Sequence, residues 1–412
     1  MGRKWKDLTD AEKDWAVEQR LIGMIYDEIF GKLGVTEGHV TAARKLRARV
    51  SEHKGSVGKD EEAEALSDLE KDVLVKLRAS PCKLEELSNI LDRGQDTIRD
   101  CIEELKQKGF AIYEAAERVS VPATPPIVTR EVPPLWDKSA RRIKWASGSD
   151  LHYGSKYVQK TAIKHFVKRA YEGFGIKHIL WSGDIVAGQH MYRGQEYDLY
   201  AHGVDEQVDD VANSLPMYDG LTHYVMGGNH DASFFRKSGV DILIKLASIR
   251  KDIIHCGWAS VDVPLTENVY VKMWHPRGSP AYAVSYRGQK YAEQIAFDEL
   301  LKLVFRDGDL QSAVRMLQVG HFHVVGGPFT QGPIEVFNAG GFEGQNSYLK
   351  ELGRIPTVGG YIFEAEITED GVMRELVTRR YLAGAIEDDW RPGPNEKKVD
   401  EVKIVPLFKL VE

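Results

Sequence analysis

The sequence predicts an α/β protein. Five short apolar runs in its last two-thirds each close on glycine or another turn residue carrying an ionisable or amide group. Helical spacing falls between them, as from about Asp205 to Leu215. The chain has 412 residues, 42% of them hydrophobic, enough for two or three domains with a sizeable core.

The elements follow in chain order. Met1-Gly2-Arg3-Lys4-Trp5-Lys6 lacks the apolar stretch of a signal peptide. Tyr26 to Thr36 reads as a helix, a glycine turn and a cap. The next helix, Glu37 to Val50, carries Arg44, Lys45, Arg47 and Arg49. Such a basic helix contacts phosphates or simply faces solvent, and both readings stay open. Residues 1–58 are therefore expected to be a helical unit, a candidate helix-turn-helix with Arg44 and Arg47 as DNA-binding candidates.

A second unit is expected over residues 64–122. Leu66, Leu69, Val73, Leu74 and Leu77 have helical spacing, which Ser80-Pro81-Cys82 breaks. Leu84, Leu87, Ile90 and Leu91 mark a second helix. Asp96-Thr97 cap a third that runs through Ile98, Ile102 and Leu105 to Lys108. Phe110–Tyr113 and Arg118–Val121 alternate like a small hairpin. Leu84 to Val121 resembles a winged helix-turn-helix module. That resemblance implies a third helix in the major groove, with Gln95, Thr97 and Arg99 at its reading end. The same helix also holds Asp100, Glu103 and Glu104, so a protein-contact role stays open beside DNA binding. Residues 123–138, with Pro125, Pro126, Pro133 and Pro134, read as a stiff extended linker.

Residues 139–412 carry the five runs. Ile143–Ser147 leads to Asp150-Leu151-His152, and Lys177–Ser182 leads to Gly183-Asp184. Thr222–Met226 leads to Gly228-Asn229-His230-Asp231, and Tyr270–Trp274 leads to His275. Met316–Val319 leads to Gly320-His321-Phe322-His323. Open α/β sheets gather their sites outside the carboxyl ends of strands, so these groups can converge. Imidazoles with hard oxygen donors suit Mn²⁺, Fe or Zn²⁺, and no cysteine takes part. The donors suffice for two divalent ions about 3.5–4 Å apart, an arrangement that serves in-line displacement at phosphorus.

The five blocks, in this order, resemble the calcineurin-like metallophosphoesterase superfamily over roughly Arg142 to Ala383. The resemblance implies a four-layer sandwich, two β-sheets flanked by helices. It implies one metal on Asp150, His152 and His323, and a second on Asn229, His275 and His321, with Asp184 bridging. His230 would then be a general acid that Asp231 orients. The G-N-H-D form is similar to the nuclease branch, whereas Gly183-Asp184-Ile185-Val186-Ala187-Gly188 departs from the protein Ser/Thr phosphatases. Arg277, His190 and Arg193 are candidate substrate contacts.

Net charge of −7 excludes a basic nucleic-acid coat, so any DNA contact must be local. Three cysteines without metal or disulfide spacing fit a reducing, intracellular (cytoplasmic) setting. No apolar run reaches the roughly 20 residues of a membrane span. Joining DNA-binding modules to a hydrolase would suit a phage or mobile element. The sequence-level expectation is a metal-dependent phosphodiesterase acting on DNA, a nuclease with Mn²⁺ as first choice. Related nucleases are often dimers, so a homodimer is also expected. The alternative is a phosphatase or phosphodiesterase for small nucleotides whose winged module holds a protein partner. A third reading is a DNA-binding regulator with a decayed metal site. The complete ligand set argues against it.

Overall fold

The computed structural model describes residues 66–391, apart from 116, 123, 126–129, 136–141, 280–281, 306–312 and 369–372. It also describes residues 8–9, 12–13, 32–33 and the strand at 404–406. The chain divides into two compact units, Met1–Asp72 and Val73–Glu412. In the first, Thr9 and Glu12 exchange hydrogen bonds through their side chains and backbone amides. Ser67 and Glu70 do the same. Each pair satisfies two amides that a helix start leaves open. The basic helix expected over Glu37 to Val50, with Arg44 and Arg47, lies outside the described residues.

The described helices are α1 (Asp68–Ala79), α2 (Leu84–Leu91), α3 (Gln95–Gln107), α4 (Lys160–Lys168), α5 (Gln195–Asp198), α6 (Gly203–Ser214), α7 (Ala232–Ser238), α8 (Ile242–Ile249), α9 (Tyr286–Phe305) and α10 (Ser347–Glu351). A three-stranded sheet, β1 (Cys82–Lys83), β3 (Arg118–Ser120) and β2 (Tyr113–Ala115), stands next to α2 and α3 in the chain. Leu87, Ile98, Cys101, Ile102, Leu105 and Val119 are buried there. The apolar positions of α3 recur every three or four residues, which places them on one face.

The larger sheet has seven strands in the order β15-β14-β13-β4-β5-β6-β7. Its parallel part is β4 (Arg142–Gly148), β5 (His178–Ser182), β6 (Thr222–Gly227) and β7 (Ile253–Trp258). The strands β13 (Val358–Ile367), β14 (Met373–Ala383) and β15 (Ile404–Pro406) extend it antiparallel. A five-stranded sheet runs β11-β12-β10-β9-β8. It comprises β8 (Ser260–Pro264), β9 (Val269–Trp274), β10 (Ala313–Val319), β11 (Val325–Gln331) and β12 (Ile334–Ala339), with β9, β10 and β12 parallel. The fold is thus mixed α/β, with three sheets and helices.

Alternation along the strands explains the packing. In β4 to β6, Trp145, Leu180, Tyr224 and Met226 share one apolar cluster with Val261, Val263, Val271, Met273, Met316 and Phe337 of the five-stranded sheet. Their neighbours Ala146, Trp181 and Val225 join a cluster on the opposite face with Ile163 of α4, Val208 of α6 and Leu243 of α8. Leu317 and Val319 of β10 turn away from the first cluster, toward Ala292 and Ile295 of α9. Successive side chains point to opposite faces of a strand, so each central strand serves two cores. Burying each large side chain contributes about 1.5–3 kcal/mol. Gln318, buried among them, donates from Nε2 to the carbonyls of Gly148 (3.3 Å) and Leu180 (3.2 Å), tying the two sheets together.

Backbone hydrogen bonds join the three-stranded region to the larger body. Ala111 N–H donates to Gly239 O and Asp241 N–H to Gly109 O, each at 3.0 Å. In the proline-rich stretch, Arg130 N–H donates to Cys256 O and Leu135 N–H to Pro264 O, each at 3.0 Å. Val132 and Leu135 are buried against the inter-sheet cluster. The stretch is therefore laid along the sheets where it is described. The three cysteines are free and buried. Among the described residues, no helix is long and apolar enough to cross a membrane.

Candidate metal centre

The parallel strands of both sheets end at one place. Asp150 follows β4, Asp184 follows β5, Asn229 follows β6, His275 follows β9 and His321 follows β10. At several of these ends the chain turns sharply. Asp150, His152, Asp184, His321 and His323 all take left-handed backbone angles, with φ from 51° to 78°. Non-glycine residues adopt that region at a cost of about 1–2 kcal/mol each, so such outliers concentrate at functional sites. Two glycines make the convergence physically possible. A Cβ on Gly183 would lie 2.4 Å from His275 Nδ1, and one on Gly228 would lie 2.2 Å from Asp184 Oδ1.

Among the described residues, three donor groups overlap: Asp150/His152/His323, His152/Asp184/His230 and Asp184/His275/His321, each within 4.8 Å. Asp184 belongs to two of them. Asn229 Oδ1 lies 3.0 Å from His275 Nε2. The Asp150 carboxylate accepts from the His321 amide at 2.9 and 3.1 Å, which fixes its direction. Second nitrogens of several rings are anchored to backbone carbonyls. His275 Nδ1 donates to Ser182 O at 2.6 Å, His321 Nε2 to Gly278 O at 2.8 Å and His230 Nδ1 to Ala187 O at 2.6 Å. Such outer bonds set the tautomer and aim the remaining nitrogen.

The donor set fits a pair of hard or borderline cations. His152 Nε2 and His323 Nε2 face each other at 3.2 Å, 3.8 and 3.4 Å from Asp150 Oδ1. Two imidazole nitrogens aimed at one point beside a carboxylate suit a shared cation. Burial pushes His321 down to about 4 and His323 down to about 3, and lowers His152 strongly, so these rings are neutral as ligands must be. Burial also works against a charged His275, but the Asp184 carboxylate, 3.1 Å away, prevails and pushes it up to about 9. Burial opposes ionisation of Asp184, yet the surrounding imidazoles hold its carboxyl well below the usual range.

The expected residues do not all gather. Asp231 is buried, but its carboxylate accepts from the amides of Gly228 (2.8 Å), Val186 (3.0 Å) and Ile185 (3.3 Å), while the His230 ring leans on Ala187 O. Asp231 thus clamps the turn that carries Asp184, where an orienting contact to His230 was expected. Burial first, then Asp184, pushes it up to about 7. His190 and Arg193 are exposed, and the centre's cavity is lined instead by Met191 and Tyr192 from the same loop. Arg277 is exposed beside His275 and lines a neighbouring cavity. Gln95, Thr97 and Arg99 are exposed on α3, where Arg99 pairs with Asp96 at 2.8 Å.

Two further residues enter that the sequence reading passed over. Glu343 is buried, 3.8 Å from His323 Nδ1 and 3.9 Å from His152 Nε2, and accepts from Ser155 Oγ at 2.7 Å and Asn346 Nδ2 at 3.0 Å. Burial pushes it up to about 8. It follows β12 through Gly340-Gly341, the same strand-then-glycine pattern that marks the other blocks. Arg354 also lines the cavity, without a motif around it.

Fold and site together define a mixed α/β protein whose strand ends bring together His and Asp clusters able to hold metal. The chain is 23% identical over 320 residues to the DNA polymerase II small subunit of Methanothermobacter thermautotrophicus, covering 71% of this chain and 64% of that protein. It is 24% identical over 300 residues to the DNA polymerase II small subunit of Methanocaldococcus jannaschii, covering 64% and 47%. The chain thus spans about half to two-thirds of the length of these archaeal relatives. No protein-family profile matches it. The solved inner-membrane-complex anchor GAP50 of Plasmodium aligns over 66% of this chain and 90% of its own, at 10% identity and a TM-score of 0.29. That superposition is too loose to bear on the fold.

Proposed function

We propose that the chain is a metal-dependent phosphodiesterase that hydrolyses DNA. The observation that carries this reading is the sharing of Asp184 between donor groups that meet at the carboxyl ends of two sheets. Two divalent cations held there, Mn²⁺ first and Fe or Zn²⁺ as alternatives, would supply a water ionised near neutral pH and offset charge at phosphorus. Asp150, His152 and His323 would hold one, and Asn229, His275 and His321 the other, with Asp184 between them. His230 donates Nδ1–H to Ala187 O, which leaves Nε2 to give a proton to the leaving oxygen when the ring is in its imidazolium form. Asp231 keeps the Asp184 turn in register through three amides. Arg354 and Tyr192, in the wall of the same cavity, would meet the flanking phosphates. His190 and Arg193 remain candidates only for substrate lying farther out.

The architecture we infer is the four-layer sandwich, supported by one apolar cluster between the sheets and one on each outer face. Residues 64–122 read as a winged helix, supported by the α2–α3 pair beside the small β1-β3-β2 sheet. Gln95, Thr97 and Arg99 on α3 are then its DNA contacts, with Arg44 and Arg47 of residues 1–58 beside them in role. Residues 123–138 link the modules to the hydrolase at 139–412.

The relatives' name favours a second reading, in which the chain is the smaller member of a DNA polymerase assembly and binds a larger partner as well as DNA. A homodimer is the alternative assembly. The test incubates the protein with Mn²⁺ and linear DNA, nicked DNA, bis-p-nitrophenyl phosphate or p-nitrophenyl phosphate. Cleavage of DNA and the diester is expected. Cleavage of only the monoester would favour a small-nucleotide phosphatase, and no cleavage with any metal would favour the accessory reading.

A further inference from the structure

The metal centre leaves a second cavity unused. It measures about 400 Å³ and adjoins the first at Asn229, which lines both. Its walls are unlike those of the centre. The half-buried indole of Trp274 supplies flat apolar surface, and buried Trp258, packed on Phe235 in the core, and buried Pro125 also border it. Trp258 is fixed by its Nε1 bond to Asp241 at 3.1 Å. Trp274 is half-buried, packed on Tyr291 at 4.6 Å between centroids, and Arg287 lies over it at 5.6 Å. Arg287 Nη1 also donates to Arg277 O at 2.6 Å, which pins the loop after His275. Arg277 and Arg287 both line the cavity, and Arg236 reaches Asn229 O at 3.5 Å from the adjacent helix α7.

A flat aromatic wall beside guanidinium groups suits a ligand that is both planar and anionic. Bases stack on aromatic side chains irrespective of sequence, and arginine pairs with phosphate. The cavity also borders, at Asn229, the place where a phosphodiester would be cut. We propose that it is a nucleotide subsite: the base of the residue flanking the scissile phosphate stacks on Trp274, and the adjoining phosphate meets Arg277. This deepens the phosphodiesterase reading and rests on it for the position of the cut. Because Pro125 belongs to the stretch that follows the winged segment, the subsite is built partly by that stretch.

The test measures binding of dAMP and of 2-deoxyribose 5-phosphate to the full chain with Mn²⁺ by calorimetry. The base is expected to tighten binding about tenfold. Trp274→Leu should erase that preference, and Arg277→Gln should weaken both ligands. Circular dichroism and Mn²⁺ binding monitor the folding of each variant, and Arg277→Gln serves alone if Trp274→Leu misfolds. Equal binding of the two ligands by the wild type, or unchanged affinities in the variants, overturns the subsite. Turnover of bis-p-nitrophenyl phosphate by the wild type is scored separately. Turnover without base preference removes the subsite alone. Base preference without turnover removes the phosphodiesterase reading and leaves a nucleotide-binding cavity.

Discussion

Replacing Gly183 with alanine adds a single methyl group where β5 hands over to Asp184. That methyl would sit 2.4 Å from His275 Nδ1, 2.8 Å from its Cγ and 2.9 Å from Gly228 Cα. Comfortable carbon contacts begin near 3.5 Å, so the ring or the turn must move by about 1 Å. The backbone there has φ +93°, and a side chain in the left-handed half of the map costs about 1–2 kcal/mol. Moving the ring also breaks the 2.6 Å bond from His275 Nδ1 to Ser182 O, at about 1–3 kcal/mol for a buried polar group. Together the losses come to about 2–5 kcal/mol of stability. A misplaced His275 should further weaken Mn²⁺ binding about 10–100-fold, the range seen when support for a metal ligand is removed. Calorimetric Mn²⁺ titration and urea unfolding of Gly183→Ala read both quantities. Mn²⁺ affinity within about twofold of wild type would refute the claim that His275 is held in place for a metal.

Other outcomes are equally checkable. His230→Ala should lower kcat on bis-p-nitrophenyl phosphate by about 10²–10⁴ while bound metal by elemental analysis stays at wild-type level. Saturating Mn²⁺ at about 1,000 times its Kd should stabilise the chain by about 4 kcal/mol, visible as a raised Tm that EDTA reverses. Leu180→Ala, in the cluster between the sheets, should cost about 2–5 kcal/mol by urea unfolding with no change in the far-ultraviolet spectrum at low urea. His223 gives a pH signature. Burial pushes it down to about 4, with Trp181 Nε1 donating to its Nδ1 and its own Nε2 donating to Pro216 O. Its folded pKa lies below the unfolded value of about 6.5, so its contribution is complete above that pH and fades as pH falls through about 4. The amount at stake is on the order of 3 kcal/mol, and His223→Gln should flatten the pH dependence of the urea midpoint over that window.

Much of the centre was legible because its donors sit at strand ends beside glycine, where apolar runs stop abruptly. Asp150, Asp184 and His275 could be found that way. Glu343 obeys the same grammar after β12, but a lone acid among glycines carries no imidazole to draw notice. Loop side chains were less legible. In the stretch after Asp184 the polar candidates His190 and Arg193 point outward, while Met191 and Tyr192 face the cavity. Residue type does not reveal which way an irregular backbone turns, and His190 itself has φ 54°. Asp231 illustrates a different gap. Adjacency to His230 suggested a side-chain partner, yet the carboxylate takes up backbone amides, that of Gly228 and two from a turn more than forty residues earlier. The joining of residues 109–111 to residues 239–241 includes main-chain bonds, which leave no trace in side-chain pattern.

The left-handed angles of the five candidate ligands have an evolutionary and practical consequence. Glycine at Asp150, His152, Asp184, His321 or His323 would relieve torsional strain while deleting chemistry. A library selected purely for heat resistance should therefore erode this centre before it touches the surrounding sheets. Thermal robustness and the metal-binding donor set would then have to be selected side by side.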